Sequence, residues 1–236
     1  MIRLGKYAVA GRIQLWITPC AVTMPPPHSD IISVPTNERL CGTQFSHFPV
    51  GGPTPQQPYI GSQSDQSDSI VEPSWMLYQC ESIDGVVTEL NGVDKRDIDV
   101  PIIRGDARYP IKCEVGETLI VSASGGLKNV FEKGLALTVP PFWPGSATSE
   151  WRRLLNNSYM NTFNAVSEAN ARAITTPLIG AGARGAPVEH AAEVAASASA
   201  EFLSYDVSEM KILFACQDDD VADILDAALR ECHEYE

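Results

Sequence analysis

Apolar positions along this chain recur with two different periods, and the change from one to the other marks out the elements. Tyr7 to Ala10 and Ile13 to Ile17 are short β-branched and aromatic runs, which suit a pleated surface. Trp75 to Gln79, Val100 to Arg104, Leu119 to Ala123 and Leu135 to Val139 are four further β-like segments. The period then becomes helical. Trp151, Leu154, Leu155, Tyr159, Phe163 and Val166 form one stripe opposite Arg152, Arg153, Asn156 and Asn157, which predicts an amphipathic helix from about Ser149 to Asn170. A strand over Ala173 to Ile179, an alanine-rich helix from Pro187 to about Ser204 and a strand over Lys211 to Cys216 follow. A last helix carries Val221, Ile224, Leu225, Ala228 and Leu229 on one face, and Asp218, Asp219 and Asp220 suit its N-terminal cap and dipole.

Strands alternating with docked helices predict a layered α/β domain. Right-handed crossovers would bring the ends of Leu135 to Val139, Ala173 to Ile179 and Lys211 to Cys216 to one edge of the sheet, where open α/β sheets hold their ligands. From Pro49 to Pro73 the chain is rich in Pro, Gly, Gln, Ser and Asp and poor in apolar residues, so it reads as a linker. The expected organisation is a short β-rich or irregular N-terminal extension over residues 1–48, a linker over 49–73 and the α/β domain over 74–236.

Composition narrows the function. The 236 residues are 44% hydrophobic and 20% charged, an ordinary globular balance, and the formal net charge of −13 repels nucleic acid duplexes and anionic membranes. An anionic ligand must then be held by local donors. No apolar stretch approaches the ~20 residues of a spanning helix, and Met1 to Met24 has no continuous apolar core of a signal peptide. The six cysteines and four histidines are scattered without a C-x-x-C pair, so reduced, buried thiols are expected. Cys41 and His47 lack the paired spacing of zinc ligands, and no metal site or cofactor is expected. A cytoplasmic or nuclear location, not a secreted one, is therefore the expectation.

The most informative run is Ile174-Thr175-Thr176-Pro177-Leu178-Ile179-Gly180-Ala181-Gly182-Ala183-Arg184-Gly185-Ala186-Pro187. An apolar strand gives way to three closely spaced glycines and then to a helix start. Glycines so placed let backbone N–H groups turn towards one oxyanion, and Pro187 suits a first helical turn. Such a turn also serves simply for tight packing. The run lacks the Gly-Lys-Ser/Thr of a Walker loop and the spacing of G-x-G-x-x-G, which excludes those two fingerprints.

Thr176 to Pro187 resembles the Phe-Pro-Ala-Ile-Gly-Thr-Gly-Ile-Tyr-Gly-Tyr-Pro type of run of the macrodomain family, keeping the Pro, the Ile, three Gly and the final Pro in step. Ile102-Ile103-Arg104-Gly105-Asp106 resembles that family's strand ending in Gly-Asp-Ile. Leu137 to Gly145 resembles its His-Thr-Val-Gly-Pro-Val-Trp segment, and Phe214 to Asp218 its last strand end. The resemblance covers about residues 97 to 234. It implies a three-layer α/β/α fold with a mixed central sheet and a site for ADP-ribose, a related ADP-containing nucleotide or an ADP-ribosylated protein.

By that resemblance Asp106 accepts a hydrogen bond from the adenine amine, and Gln217 stands at the adenine side in place of a stacking aromatic. The family's Val-Asn-Ala-Ala-Asn strand end is matched to Val121-Ser122-Ala123-Ser124, and its first phosphate loop to Gly125 and Gly126. Gly180, Ala181, Gly182, Ala183, Arg184 and Gly185 form the second loop, with Arg184 a candidate phosphate partner. Hydrolase members orient a water with an asparagine; here Ser122, Ser124 and Asn129 are the substitutes, and none is an evident general base. The expected function is therefore a reader, with a hydrolase as the alternative. A third reading is a relic whose mouth is plugged by Phe131 or Arg184 and whose residues 1–48 meet a protein partner.

Overall fold

The computed structural model describes residues 4–7, 11–40, 83–91, 99–105, 110–182 and 184–233. Among the described residues seven strands form one mixed sheet: Leu4–Tyr7 (β1), Ile13–Ile17 (β2), Ile31–Pro35 (β3), Thr118–Val121 (β4), Gly134–Thr138 (β5), Ala173–Thr176 (β6) and Lys211–Cys216 (β7). Their order across the sheet is β1-β2-β7-β6-β3-β5-β4. The five inner strands are parallel, and β1 and β4 close the edges in antiparallel pairing. The helices are Ile83–Asn91 (α1), Ser149–Glu168 (α2), Val188–Tyr205 (α3) and Asp219–His233 (α4).

Burial follows from the parallel pairing. Every residue of β5 and β6 is buried, as is all of β7 after Lys211, because helices or loops cover both faces. On one face α2, α3 and α4 enclose a core in which Tyr159 and Phe163, and Phe163 and Phe202, pack ring to ring. Five alanines of α3, Ala191, Ala192, Ala195, Ala196 and Ala198, are fully buried and let that helix lie close to its neighbours. On the other face Val86 and Val87 of α1 meet Cys20, Val22, Leu40, Leu127, Phe131, Leu135 and Leu137. The result is the expected three-layer α/β/α arrangement.

The long helix, the alanine-rich helix and the last strand and helix lie where the periodicity predicts. Thr148 caps α2 by accepting the Trp151 N–H at 3.1 Å, and Asp218 caps α4 by accepting the Val221 N–H at 2.9 Å.

Residues 1–48 depart from expectation. Their strands are part of the sheet, and β3 runs between β6 and β5 in its interior. The extension read from the sequence therefore supplies three of the seven strands. The proposed linker over 49–73 and the segment Trp75 to Gln79 lie outside the described residues, as do residues 8–10 of the first expected strand; the strand found there is β1. Val100 to Arg104 is no strand: only Arg104 makes a bridge, to Ile111, and Ile102 and Ile103 are exposed. No described neighbouring strand pairs with that segment, so its apolar run has nothing to align on.

Candidate functional site

Because β2, β7, β6, β3 and β5 are parallel, their carboxyl ends share one edge of the sheet, the edge where open α/β sheets present loops to ligands. The segments that meet there begin at Thr18, Gln217, Pro177, Thr36 and Val139.

The glycine loop after β6 is held from inside the core. Tyr159 of α2 is fully buried, and its phenol oxygen accepts the Ile179 N–H at 2.7 Å. Burial pushes the Tyr159 phenol far above its ordinary range, so it remains a neutral hydroxyl. The chain then turns at Gly180, where φ is +96° and an added Cβ would lie 3.2 Å from Leu155 Cδ1. The Gly185 N–H donates to Gly182 O at 2.9 Å and the Ala186 N–H to Gly180 O at 3.0 Å, closing the loop on itself. These two amides are thus engaged internally, whereas Gly182 faces open space. Pro187 stands at the N-cap position of α3 with no side-chain cap, so the first amides of that helix point towards the same edge.

Arg184 turns inward. It is 6% exposed, its Nη2 donates to the carbonyl oxygen of Thr36, and its Cζ lies 4.2 Å above the centre of the Phe142 ring. Its own carbonyl accepts the Trp143 N–H at 2.9 Å. One side chain thus joins the loops after β3, β5 and β6. Phe131, the other residue expected to plug the mouth, is fully buried behind the start of β5, with its carbonyl accepting the Gly134 N–H.

The end of β3 reaches this same edge, and the sequence reading did not include it. Thr36 and Asn37 are buried; Asn37 Oδ1 accepts the Arg39 N–H at 3.2 Å, and its carbonyl accepts the Leu40 N–H at 2.8 Å. The signal was present: Ser33-Val34-Pro35-Thr36-Asn37 ends on an asparagine as the Val-Asn-Ala-Ala-Asn run does, directly after the apolar Ile31-Ile32.

Matching that run to Val121 to Ser124 is corrected by topology. β4 is antiparallel to β5, with Val121 opposite Leu135, so Ser122, Ser124, Gly125, Gly126 and Asn129 emerge at the far end of the sheet. A strand length, about 16 Å at the usual rise per residue, separates them from Gly180 to Gly185. Ser124 Oγ donates to Asn91 O at 2.5 Å, and its N–H donates to Asn91 Oδ1 at 2.7 Å. Gly125 begins a single turn, Gly125–Leu127, where an added Cβ would lie 2.5 Å from Leu90 O. These residues dock α1, and Ser122 and Asn129 are exposed beside them. The two glycine turns do not face each other across a cleft.

At the adenine side foreseen from the sequence, Gln217 is exposed and its amide reaches Pro19 O at 3.5 Å, beside the end of β2. Asp106 and Ala183 lie outside the described residues. The thiols at this edge are poor nucleophiles: burial first, then Asp218, pushes Cys216 up to about 12, and burial with Glu117, Glu114 and Glu38 pushes Cys113 up to about 12. The four described cysteines, Cys20, Cys113, Cys216 and Cys232, are free. Among the described residues no group of three metal-ligating side chains occurs, and no helix is long and apolar enough to cross a membrane. With Asp218, Glu117, Glu114 and Glu38 nearby, an anionic ligand at this edge depends on local donors such as the backbone amides of the glycine loop and of the start of α3.

A family model described as Macro domain matches residues 102–195. The O-acetyl-ADP-ribose deacetylase of Citrobacter koseri is 30% identical over 120 residues, which cover 51% of this chain and 65% of that protein. The chain thus spans just under two thirds of that relative's length. Among solved structures, the Oceanobacillus iheyensis macrodomain with ADP superposes with a TM-score of 0.68 at 17% identity, covering 100% of both chains. The Trypanosoma brucei macrodomain in complex with ADP-ribose gives 0.58 at 16% identity, covering 93% of this chain and 69% of that one. At such identities the superpositions show the fold, and they extend it over β1 to β3, which the family model leaves out.

Proposed function

The chain is a member of the macrodomain family, and on that premise we propose that the edge formed by the ends of β3, β5, β6 and β7 binds ADP-ribose or an ADP-containing nucleotide. The observation that carries this reading is the glycine loop, closed by its own hydrogen bonds and anchored on Tyr159, with Gly182 facing open space beside the uncapped start of α3. Loop and helix amides would then meet the diphosphate. Solved structures of the same fold hold ADP and ADP-ribose, which supports that choice of ligand.

A reader is favoured over a hydrolase by where the polar groups lie. Ser122, Ser124 and Asn129 stand at the far end of the sheet, and Cys216 is buried and neutral at pH 7. The second reading, a deacetylase acting on O-acetyl-ADP-ribose, is supported by the name of the Citrobacter koseri relative and by Asn37 at the end of β3.

Titration calorimetry with ADP-ribose tests the binding reading. Wild type is expected to bind, and Gly182→Val, whose Cβ meets nothing within 4 Å, is expected to fold normally and lose the ligand. No heat from wild type, or equal affinity in the variant, would overturn it. Incubation with O-acetyl-ADP-ribose and with ADP-ribosylated protein separates the two modes: released acetate or ADP-ribose would replace reader with enzyme.

A further inference from the structure

We propose that Arg184 is a positioning residue of the diphosphate site, shaping the glycine loop from behind rather than touching the ligand. The inference rests on the binding reading above and adds a role for a side chain that the loop sequence presents as a phosphate partner.

Arg184 is the point where three loops meet. Its guanidinium donates to the carbonyl of Thr36 at the end of β3 and lies over the Phe142 ring after β5, while its own carbonyl receives the Trp143 N–H. Thr36 is 5% exposed and Arg184 is 6% exposed, so the contact is sheltered from water. A guanidinium suits such a place: it is planar, weakly hydrated and able to donate in its plane while its face rests on a ring. Lysine offers a compact point charge with no planar face to rest on the ring while it donates.

The consequence concerns the loop amides. Gly180, Ala181 and Gly182 precede a residue whose side chain is fixed to another strand, so the loop is tied at Ile179 by Tyr159 and at Arg184 by Thr36. A loop pinned at both ends loses less freedom when an anion settles on it, and that pre-organisation raises affinity without any contact to the ligand. An arginine that is 6% exposed, with its guanidinium on a backbone carbonyl and a ring, presents little of itself to a ligand arriving from solvent.

The test compares ADP with adenosine on wild type, Arg184→Lys, Arg184→Met and Phe142→Leu, at two salt concentrations. Thermal unfolding checks that each variant folds. Loss of the charged hydrogen bond and the stack predicts ADP binding weakened about tenfold in the Arg184 variants. Adenosine affinity and the salt dependence of ADP binding are expected to stay as in wild type. ADP affinity equal to wild type would overturn the proposal, and so would a weakened affinity whose salt dependence has also fallen, since that would mark direct contact with phosphate. Phe142→Leu leaves Arg184 in place and removes the ring under it, so it decides the matter if the arginine variants do not fold: weaker ADP binding supports the proposal and unchanged binding overturns it.

Amide exchange without ligand keeps the two readings distinct. Faster exchange in Gly180 to Gly185 of Arg184→Lys supports the positioning role even if wild type binds no ADP, a result that would remove only the binding reading. Equal exchange would remove the positioning role.

Discussion

The phenol of Tyr159 and the backbone N–H of Ile179 are 2.7 Å apart inside the core, which fixes the entrance of the glycine loop to the middle of α2. The loop's shape is therefore set by a side chain that no ligand reaches.

Tyr159→Phe leaves the ring packing against Phe163 and Phe214 but strands the Ile179 N–H without its acceptor. The expected cost is about 1–3 kcal/mol of folding stability, the penalty for an unsatisfied buried donor. Urea unfolding measures it, and amide exchange at Ile179 is expected to quicken more than exchange in β7.

Glycine substitutions separate fold from site. Gly125→Ala places a Cβ 2.5 Å from Leu90 O at φ +51°, and Gly180→Ala places one 3.2 Å from Leu155 at φ +96°. Each is expected to lower stability by about 1–3 kcal/mol, the usual cost of such backbone strain. Gly182→Ala is expected to stay within about 0.5 kcal/mol of wild type. Of the two strained variants, only Gly180→Ala should also weaken ADP-ribose binding by the folded protein, because Gly125 lies at the other end of the sheet. Calorimetry on the folded fraction checks this.

The acid limb of stability has named sources. Burial opposes ionisation of Asp30, but the Arg172 side chain and backbone N–H bonded to it together hold its carboxyl below the usual range. Asp206 is likewise lowered against burial by Ser208, Ser167 and Arg12. A lowered folded value means that the stabilisation is whole above the unfolded carboxylate range, near ~3.9, and is lost as pH falls through the folded value beneath it. The urea midpoint of wild type is expected to fall below about pH 4. Asp30→Asn should lower the midpoint at neutral pH and flatten that limb, leaving the part due to Asp206. An unchanged limb would remove Asp30 as its source.

Thiol reactivity follows from burial. With Cys216 and Cys113 both pushed up to about 12, neither forms appreciable thiolate at pH 8, so both should resist iodoacetamide in the folded state and react on unfolding. Mass spectrometry of the labelled peptides reads the outcome.

Much of the α/β frame was legible because its signals are local. The stripe from Trp151 to Val166 needs only a helical period, the acids at Asp218 to Asp220 need only a free helix start, and Ile212 to Cys216 is an unbroken apolar run before that start. The turn at Gly180 was legible for the same reason. Of the two loops matched to phosphate binding, the one after β6 leaves the edge where the parallel strands end and the one after β4 leaves the opposite edge. Ser122 to Gly126 imitates a phosphate loop in residue types, yet the antiparallel direction of β4 carries it to the wrong edge. Asn37 lay in a segment set aside as an extension, although Ile31, Ile32 and Val34 already had the composition of a buried strand.

By itself the sequence determined where the chain turns helical, where it extends and where three glycines let it double back, since these depend on neighbours within a few positions. Only the tertiary structure decided that β3 enters the interior of the sheet, that β4 reverses and that Arg184 points inward to Thr36 and Phe142. The reason is physical: pairing between strands distant along the chain, and the direction of a loop side chain, are chosen by which partners remain to be covered when the layers close, and no short run of residues records that choice.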